Sequence, residues 1–188
     1  MNHNHAEVCS SVEWADHIRD DVLPRALGDD GLGGDVLEIG PGYGAATELV
    51  RSMATRLTAV EIDPELAGPL AERYPDVTVL VGSATATTFE SGRFDAVVCF
   101  TMLHHVPTRA LQDEIFAEAL RVLRPGGRFA GSDSMDSAGR RAFHHEDTFT
   151  PVDPTRLAHR LATAGFVDAD VDVHDNGDYF TFSARRPE

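Results

Sequence analysis

The sequence predicts an α/β protein with a doubly wound parallel sheet. From residue 35 onward, short apolar runs alternate with stretches that have the period of an amphipathic helix, which is the pattern of repeated strand–helix–strand units. The runs are hydrophobic on both faces, as expected for strands that helices cover on either side. The first run, residues 36–39, leads directly into Gly40, Gly42 and Gly44. Glycines spaced this closely allow the backbone to turn sharply and approach a ligand.

Composition and charge limit the possible classes of function. A chain of 188 residues that is 42% hydrophobic and 25% charged fits one globular domain. It carries 31 acidic and 16 basic side chains and no lysine, so its surface would repel a polyanion, and a nucleic-acid partner is disfavoured. Because no apolar run approaches the length of a membrane span and the N-terminus is polar, we expect a cytoplasmic protein with no membrane partner.

Residues 1–34 are predicted to form an N-terminal arm and a helix that pack on the main domain, residues 35–188. Residues 2–9 have no period and are expected to be a loose arm. Ser10 and Glu13 have the spacing of a capping box, so a helix should begin near Ser11. Trp14 is interpreted as a core anchor of this helix. The glycine-rich residues 28–34 then end the helix and lead to the first strand.

The main domain is predicted to alternate regularly before a less regular final third. The expected strands are 36–39, 57–60, 77–81, 94–100, 127–131, 166–173 and 179–184, and the expected helices are 44–54, 64–74, 107–123 and 155–164. Pro64 suits the first turn of a helix and Pro75 prevents its continuation. Residues 132–153 have no clear period but carry charged and aromatic side chains. They are the main candidate for a substrate-facing segment, since long irregular loops in compact domains are usually functional or disordered.

Two acidic residues accompany the glycine loop. Glu61 ends the second predicted strand, 17 residues after Gly44, where a carboxylate of a doubly wound fold can accept both hydroxyls of a ribose. A dinucleotide enzyme would place its third glycine one position later. Glu38 lies two residues before Gly40, where an acid is unwelcome near a pyrophosphate but suits a ligand with an ammonium group. The residues therefore favour a cationic adenosine cofactor without phosphates.

These features resemble the class I S-adenosylmethionine-dependent methyltransferases, specifically the small-molecule type with a type 11-like core. The resemblance rests on the blocks EIGPGYG at 38–44, VEIDP at 60–64, VGSA at 81–84 and RVLRPGGR at 121–128. It implies a Rossmann-like sheet of seven strands in the order 3-2-1-4-5-7-6, with the last strand antiparallel. It also implies S-adenosyl-L-methionine as cofactor and in-line methyl transfer to a small molecule that the sequence does not identify.

The resemblance further implies which residues hold the cofactor. The expected cofactor-binding residues are Glu38, Gly40, Gly42, Gly44, Glu61, Ile62, Ser83, Ala84, Phe100 and Thr101. Glu61 would take the ribose and Ile62 one face of the adenine. Ser83 and Ala84 would lie at the polar edge of the adenine. Members of the family often have an acid where this sequence has Ser83, and a serine accepts a hydrogen bond more weakly.

His104 and His105 are the candidate catalytic residues. They follow the carboxyl end of the fourth predicted strand, the edge at which ligands bind in this fold class. Either imidazole could deprotonate or orient the acceptor, although methyl transfer requires a base only when the acceptor is protonated. A histidine pair in this position can also cap the next helix or pack beneath it.

No metal site is predicted. His144, His145, Glu146 and Asp147 are adjacent, and neighbouring side chains rarely converge on one ion. The same reasoning applies to the N-terminal group of His3, His5 and Cys9, which fits a mobile arm equally well. A magnesium site of the catechol type would need acids after strands four and five, and Asp133 alone fits loosely.

Other interpretations remain open at this stage. The chain could bind S-adenosylmethionine without catalysis, or act as the partner of an active subunit. A nicotinamide-dependent oxidoreductase is a third and less favoured interpretation. The oligomeric state is left open.

Overall fold

The computed structural model describes residues 3–28 and 31–188, which contain a seven-stranded sheet. The strands are β1 (Asp35–Ile39), β2 (Arg56–Glu61), β3 (Thr78–Val81), β4 (Phe94–Phe100), β5 (Leu123–Ser134), β6 (Val167–Val173) and β7 (Tyr179–Arg185). Their order is β3-β2-β1-β4-β5-β7-β6. Strands β1 to β5 pair in parallel, and β7 is antiparallel to both of its neighbours. The predicted fold class, strand order and antiparallel last strand are confirmed.

Helices cover both faces of the sheet and bury two apolar clusters. They are α1 (His3–Cys9), α2 (Val12–His17), α3 (Leu23–Leu27), α4 (Thr47–Met53), α5 (Pro64–Arg73), α6 (Arg109–Val122), α7 (Ala138–Phe143) and α8 (Pro154–Ala164). Successive residues of a strand point to opposite faces. Accordingly, Leu37 joins the cluster formed with α6 and α8, whereas Val36 joins the cluster formed with α3, α4 and α5. Most of the central strands are therefore buried on both sides.

The start of the chain is more regular than its sequence indicates. The expectation of a loose arm over residues 2–9 is wrong for His3–Cys9, which form α1. The side chain of His5 in this helix is only 2% exposed, and its Nδ1–H donates to Asp147 Oδ2 across 3.1 Å. A short helix of this kind depends on tertiary contacts more than on its own propensity, so its sequence carries little sign of it.

The second helix starts at a different cap from the one predicted. Ser11, not Ser10, is the N-cap of α2, and its side chain accepts a hydrogen bond from the Trp14 N–H at 3.1 Å. A π-helical turn, Ile18–Val22, joins α2 to α3. Pro24 lies in the first turn of α3 and has no N–H to donate to the carbonyl four residues earlier, which accounts for the irregular turn.

The N-terminal helices are fastened to the sheet by polar as well as apolar contacts. The guanidinium of Arg128, on β5, donates to the carbonyl oxygens of Leu27 at 2.6 Å and Ala26 at 2.9 Å. These carbonyls lie at the C-terminal end of α3, where helix oxygens lack partners and attract cations. Tyr179 on β7 donates its hydroxyl to Asp21 Oδ2 at 2.8 Å. The segment is thus held against β5 and β7.

Three departures from the predicted elements of the main domain exceed two residues, and each has a local reason. The helix expected at 44–54 begins only at Thr47, because Gly40, Gly42 and Gly44 all have positive φ angles. Strand β5 spans Leu123–Ser134 rather than 127–131, because the turn before it continues the pairing with β4. The segment 132–153, expected to be irregular, contains the six-residue helix α7. This helix is too short to produce a recognisable helical period in the sequence.

Among residues 3–28 and 31–188, no helix has the length and apolar character that crossing a bilayer requires.

Arg128→Met should lower the free energy of unfolding by about 1–3 kcal/mol, because it removes charged donors from two helix-end carbonyls. Arg56→Met serves as the control, since Arg56 is 71% exposed in its side chain and pairs with Asp35 at 3.2 Å. An exposed ion pair contributes about 0–1 kcal/mol. Urea denaturation followed by circular dichroism compares the two variants. Equal losses would contradict the anchoring role of Arg128.

Candidate active site

A cavity of about 580 Å³ opens where β1, β2 and β4 end. The carboxyl ends of parallel strands meet at one edge of a sheet, and doubly wound folds bind their ligands there. The predicted cofactor residues in the cavity wall are Glu38, Gly40, Gly42, Glu61, Ile62, Ser83, Ala84, Phe100 and Thr101. Residues separated by more than 60 positions in the sequence are thus brought to one site.

Gly40, Gly42 and Gly44 form the loop between β1 and α4. Their φ angles of 63°, 54° and 78° lie in the left-handed region that glycine adopts without strain. A Cβ on Gly42 would meet no described atom within 4 Å, whereas one on Gly44 would lie 2.7 Å from the Leu70 side chain. Gly42 therefore leaves space in the cavity. Gly44 lies outside the cavity wall and allows the loop to pack against α5.

Glu61 ties the end of β2 to this loop. Its side chain is buried; Oε2 accepts from the Gly42 N–H at 2.9 Å, and Oε1 accepts from the Asp63 N–H at 3.0 Å. Each carboxylate oxygen retains a second lone pair for a ligand hydroxyl. Because Gly42 donates to a carboxylate, the loop does not present that N–H to a phosphate group, in contrast with loops that cradle phosphates.

Glu38 is the second acid of the loop region and is fully buried. Thr47 Oγ1 donates to Glu38 Oε2 at 2.8 Å, which links β1 to the first turn of α4. Burial raises the pKa of Glu38 to about 7; the Thr47 hydrogen bond opposes this rise, and the negative charge of Glu61 adds to it. Glu38 is therefore poised to ionise when a cation binds nearby.

The rest of the cavity wall near the ends of β2, β3 and β4 presents apolar and weakly polar groups. Ile62 leaves β2 with a side chain that is 71% exposed, so a flat ring could cover it. Ser83 Oγ lies 2.9 Å from Thr85 Oγ1 and accepts from the Thr85 N–H at 3.3 Å. Thr101 follows β4 with a φ of 51°, an uncommon value for a residue other than glycine, and such strain is concentrated at functional sites.

The two candidate catalytic histidines have different surroundings. His105 lies in the cavity wall. His104 is buried beneath it: its backbone N–H donates to Asp133 Oδ2 at 3.0 Å, and its Nδ1–H donates to Asp133 Oδ1. Asp133, which is fully buried, is engaged by these bonds and by the Ser134 N–H. Burial lowers the pKa of His105 to about 3, and the neighbouring histidines add to this effect.

A cluster of three histidines lies next to His104. His5 from α1, His105 after β4 and His144 after α7 each offer a ring nitrogen, and these nitrogens lie within 4.8 Å of one another. Proximity in the sequence groups His144 with His145, and His5 with Cys9, as possible metal ligands. The structure instead takes one histidine from each of three distant segments.

Several wall residues lie outside the predicted cofactor motifs. Ala6, Cys9, Trp14 and Ile18 come from the N-terminal helices, and Asp147 and Thr148 come from the segment after α7. Trp14 is half-buried and faces the cavity, in addition to packing against the core. A hydrophobic periodicity predicts which face of a helix is covered, but not whether protein or ligand covers it.

The fold and the site together define a Rossmann-like α/β domain with its ligand cavity at the glycine loop. The family model for a methyltransferase domain matches residues 37–131. The chain therefore belongs to the methyltransferase domain family, as the sequence motifs indicate.

One relative agrees with this membership, and two solved structures share the fold. A probable S-adenosylmethionine-dependent methyltransferase of Mycolicibacterium smegmatis is 30% identical over 156 residues, which are 79% of this chain and 58% of the relative. The chain spans about half the length of the curated relatives it matches. A putative methyltransferase complexed with the Trm112 activator of Haloferax volcanii has a TM-score of 0.75 at 16% identity, covering 100% of this chain and 99% of that one.

The second structure is a Haemonchus contortus enzyme with both ligands bound. Phosphoethanolamine N-methyltransferase 2, in complex with phosphomonomethylethanolamine and S-adenosylhomocysteine, has a TM-score of 0.77 at 17% identity and covers 98% of this chain and 58% of that one. At such low identities, the likeness shows the fold.

Glu38→Gln should remove a pH dependence of stability. The wild-type carboxyl has a folded-state pKa near 7, against an ordinary value of 4.5, so its contribution is complete below pH 4.5 and is lost as the pH rises towards 7. This loss amounts to about 3 kcal/mol. We expect the wild type to lose stability relative to Glu38→Gln between pH 5 and about pH 8, as measured by urea denaturation. A difference that does not change with pH would rule out a raised pKa.

Proposed function

We propose that this protein transfers a methyl group from S-adenosyl-L-methionine to a small molecule. The observation that carries the proposal is the pair of buried carboxylates, Glu38 and Glu61, on either side of the glycine loop. Such a pair repels a diphosphate. It suits a cofactor that has an ammonium group, a ribose with two free hydroxyls and no phosphate.

The cofactor would lie along the ends of β1 and β2. In this proposal Glu38 attracts the ammonium group of the methionine moiety, and Glu61 accepts from the ribose hydroxyls while keeping its bond to Gly42. Gly42 makes room for the ligand, whereas a Cβ on Gly40 would lie 3.0 Å from the Met102 side chain. Gly44 supports the loop from behind, against Leu70.

The adenine would lie at the other end of the cofactor-binding wall. The exposed side chain of Ile62 would cover one face of the ring. Ser83 and Ala84 would meet its polar edge, and Phe100 and Thr101 would close the pocket at the end of β4.

The acceptor would enter on the side formed by the N-terminal helices and the segment after α7. Residues 1–34 then serve as a cap on the main domain, since Ala6, Cys9 and Trp14 face the same cavity as Asp147. A cavity of about 580 Å³ has the size of pockets that hold small molecules. The net charge of −15 also disfavours a nucleic-acid acceptor.

His105 would orient the acceptor rather than remove a proton from it. A general base works best with a pKa near the operating pH, and the pKa of His105 is about 3. Its neutral ring can hold the acceptor in line with the sulfonium methyl group, which is the main requirement of this reaction. His104, held by Asp133, would fix the turn that aims His105 at the cavity.

Glu61→Ala should weaken the binding of S-adenosylmethionine by about 1–3 kcal/mol, because the ribose hydroxyls lose a charged acceptor. Isothermal titration calorimetry with S-adenosylmethionine, S-adenosylhomocysteine and NAD compares this variant with Glu72→Ala, whose side chain is exposed on α5. The control should bind like the wild type. Unchanged affinity in Glu61→Ala would refute the ribose assignment, and preference for NAD would refute the cofactor.

Methyl transfer is measured with S-adenosylmethionine labelled in its methyl group and a library of small hydroxyl, amine and carboxyl acceptors. We expect labelled product from wild type and a loss in kcat of about 100-fold in His105→Asn through misplacement of the acceptor. The exposed-site control His159→Asn, on α8, should retain activity. Cofactor binding without transfer to any acceptor would favour a non-catalytic binding protein.

A further inference from the structure

The histidine cluster has the composition of a transition-metal site. Its rings come from α1, from the turn after β4 and from the residue after α7, with centroid separations of 4.9 Å for His5–His105, 4.5 Å for His5–His144 and 5.4 Å for His105–His144. A single ion bound by three imidazoles requires ring nitrogens that converge in this way. Small rotations of the side chains would bring nitrogens that lie within 4.8 Å to zinc-binding distance.

The hydrogen bonds of two rings fix which nitrogen carries a lone pair. His144 Nδ1 lies 2.7 Å from the carbonyl oxygen of Arg140, and because a carbonyl only accepts, Nδ1 carries the proton. His5 Nδ1 likewise donates to the carboxylate of Asp147 at 3.1 Å. In each ring Nε2 is then the basic nitrogen. Metal-binding histidines are held in the same way, by a carbonyl or carboxylate on the nitrogen that does not bind the ion.

The basic nitrogen of His144 is buried and makes no hydrogen bond to the described residues. His144 is only 4% exposed, and its Nε2 has no hydrogen-bond partner among the residues that the structure describes. Burying a polar atom without a partner costs free energy, which a bound ion would recover.

A fourth histidine lies beside the cluster. His104 has its ring centroid 5.0 Å from that of His144, but the group of converging ring nitrogens does not include it.

We propose that His5, His105 and His144 form a binding site for a divalent transition-metal ion of the zinc class, with Asp147 orienting His5. Imidazole donors favour zinc, iron, nickel or copper over magnesium and calcium, which prefer oxygen. Three histidines leave a fourth coordination position on a tetrahedral ion. Of the three ligands, His105 lines the cavity, so a bound ion would lie beside the cavity. Metal binding here does not require that the protein be a methyltransferase.

The test uses protein purified without a polyhistidine tag, stripped with a chelator and dialysed against Zn²⁺ or Co²⁺ in the absence of S-adenosylmethionine. We expect one ion per chain by elemental analysis and the visible absorption of tetrahedral Co²⁺. His105→Ala and His144→Ala should lose this binding, whereas the control His159→Ala, on the exposed part of α8, should retain it. Asp147→Asn should lower the affinity about 10–100-fold.

Measurements on the wild type test the proposed metal site even if a variant fails to fold. X-ray absorption of the Zn²⁺-loaded wild type should show scattering from three imidazoles. No bound ion in the wild type, a ligand shell of oxygen atoms, or full binding by folded His105→Ala and His144→Ala would each overturn the site. Because S-adenosylmethionine is absent from these measurements, failure here is distinct from failure of the proposed methyl transfer.

Discussion

The hydrogen bond from the Gly42 N–H to Glu61 is the interaction on which the rest of the site depends. It joins the glycine loop after β1 to the end of β2, and the Thr47 hydroxyl joins the same loop region to Glu38. Adjacent parallel strands bring these two acids to one edge of the sheet. Because the Gly42 N–H donates to Glu61, the loop does not offer that N–H to a phosphate. The same contacts that stabilise the turn therefore also restrict the charge of the ligand it can accept.

The fold could be predicted because its local signals agree with its long-range arrangement. Pro64 begins α5 with Asp63 as its cap, the glycine loop separates β1 from α4, and the 175–178 turn joins the last two strands. The sheet order came from the family resemblance and is confirmed. By contrast, α1 and α7 are short helices, and tertiary contacts such as His5 with Phe143 and Asp147 hold α1 in place. The sequence of a short segment does not show which distant residues it will contact.

The two ends of the cavity differ in how far the sequence could predict them. The cofactor wall is built from the ends of three neighbouring strands, so the order of elements brings Glu38, Glu61 and Thr101 to one edge, and the family resemblance supplied their expected roles. The other end combines α1, the turn after β4 and the segment after α7. These segments are distant in the sequence: His5 lies 100 positions before His105, and His105 lies 39 positions before His144. His5 and His144 meet there because α1 packs against α7 and the residues that follow it. Reasoning from neighbours in the chain pairs His144 with His145 and overlooks this meeting.

Burial disfavours the charged form of titratable groups at both ends of the cavity, with opposite effects on their pKa. It raises the pKa of Glu38 and lowers the pKa of His5, His105 and His144, since a low dielectric disfavours the charged form of either kind of group. The three histidines stay neutral at physiological pH, and the Glu38 carboxyl stays about half protonated. A cation would offset the cost of burial at either end of the cavity. An ammonium group would favour the ionised form of Glu38, and the neutral rings would bind a divalent ion. On a chain with a net charge of −15, the interior of the cavity is therefore prepared for positive charge at two separate places.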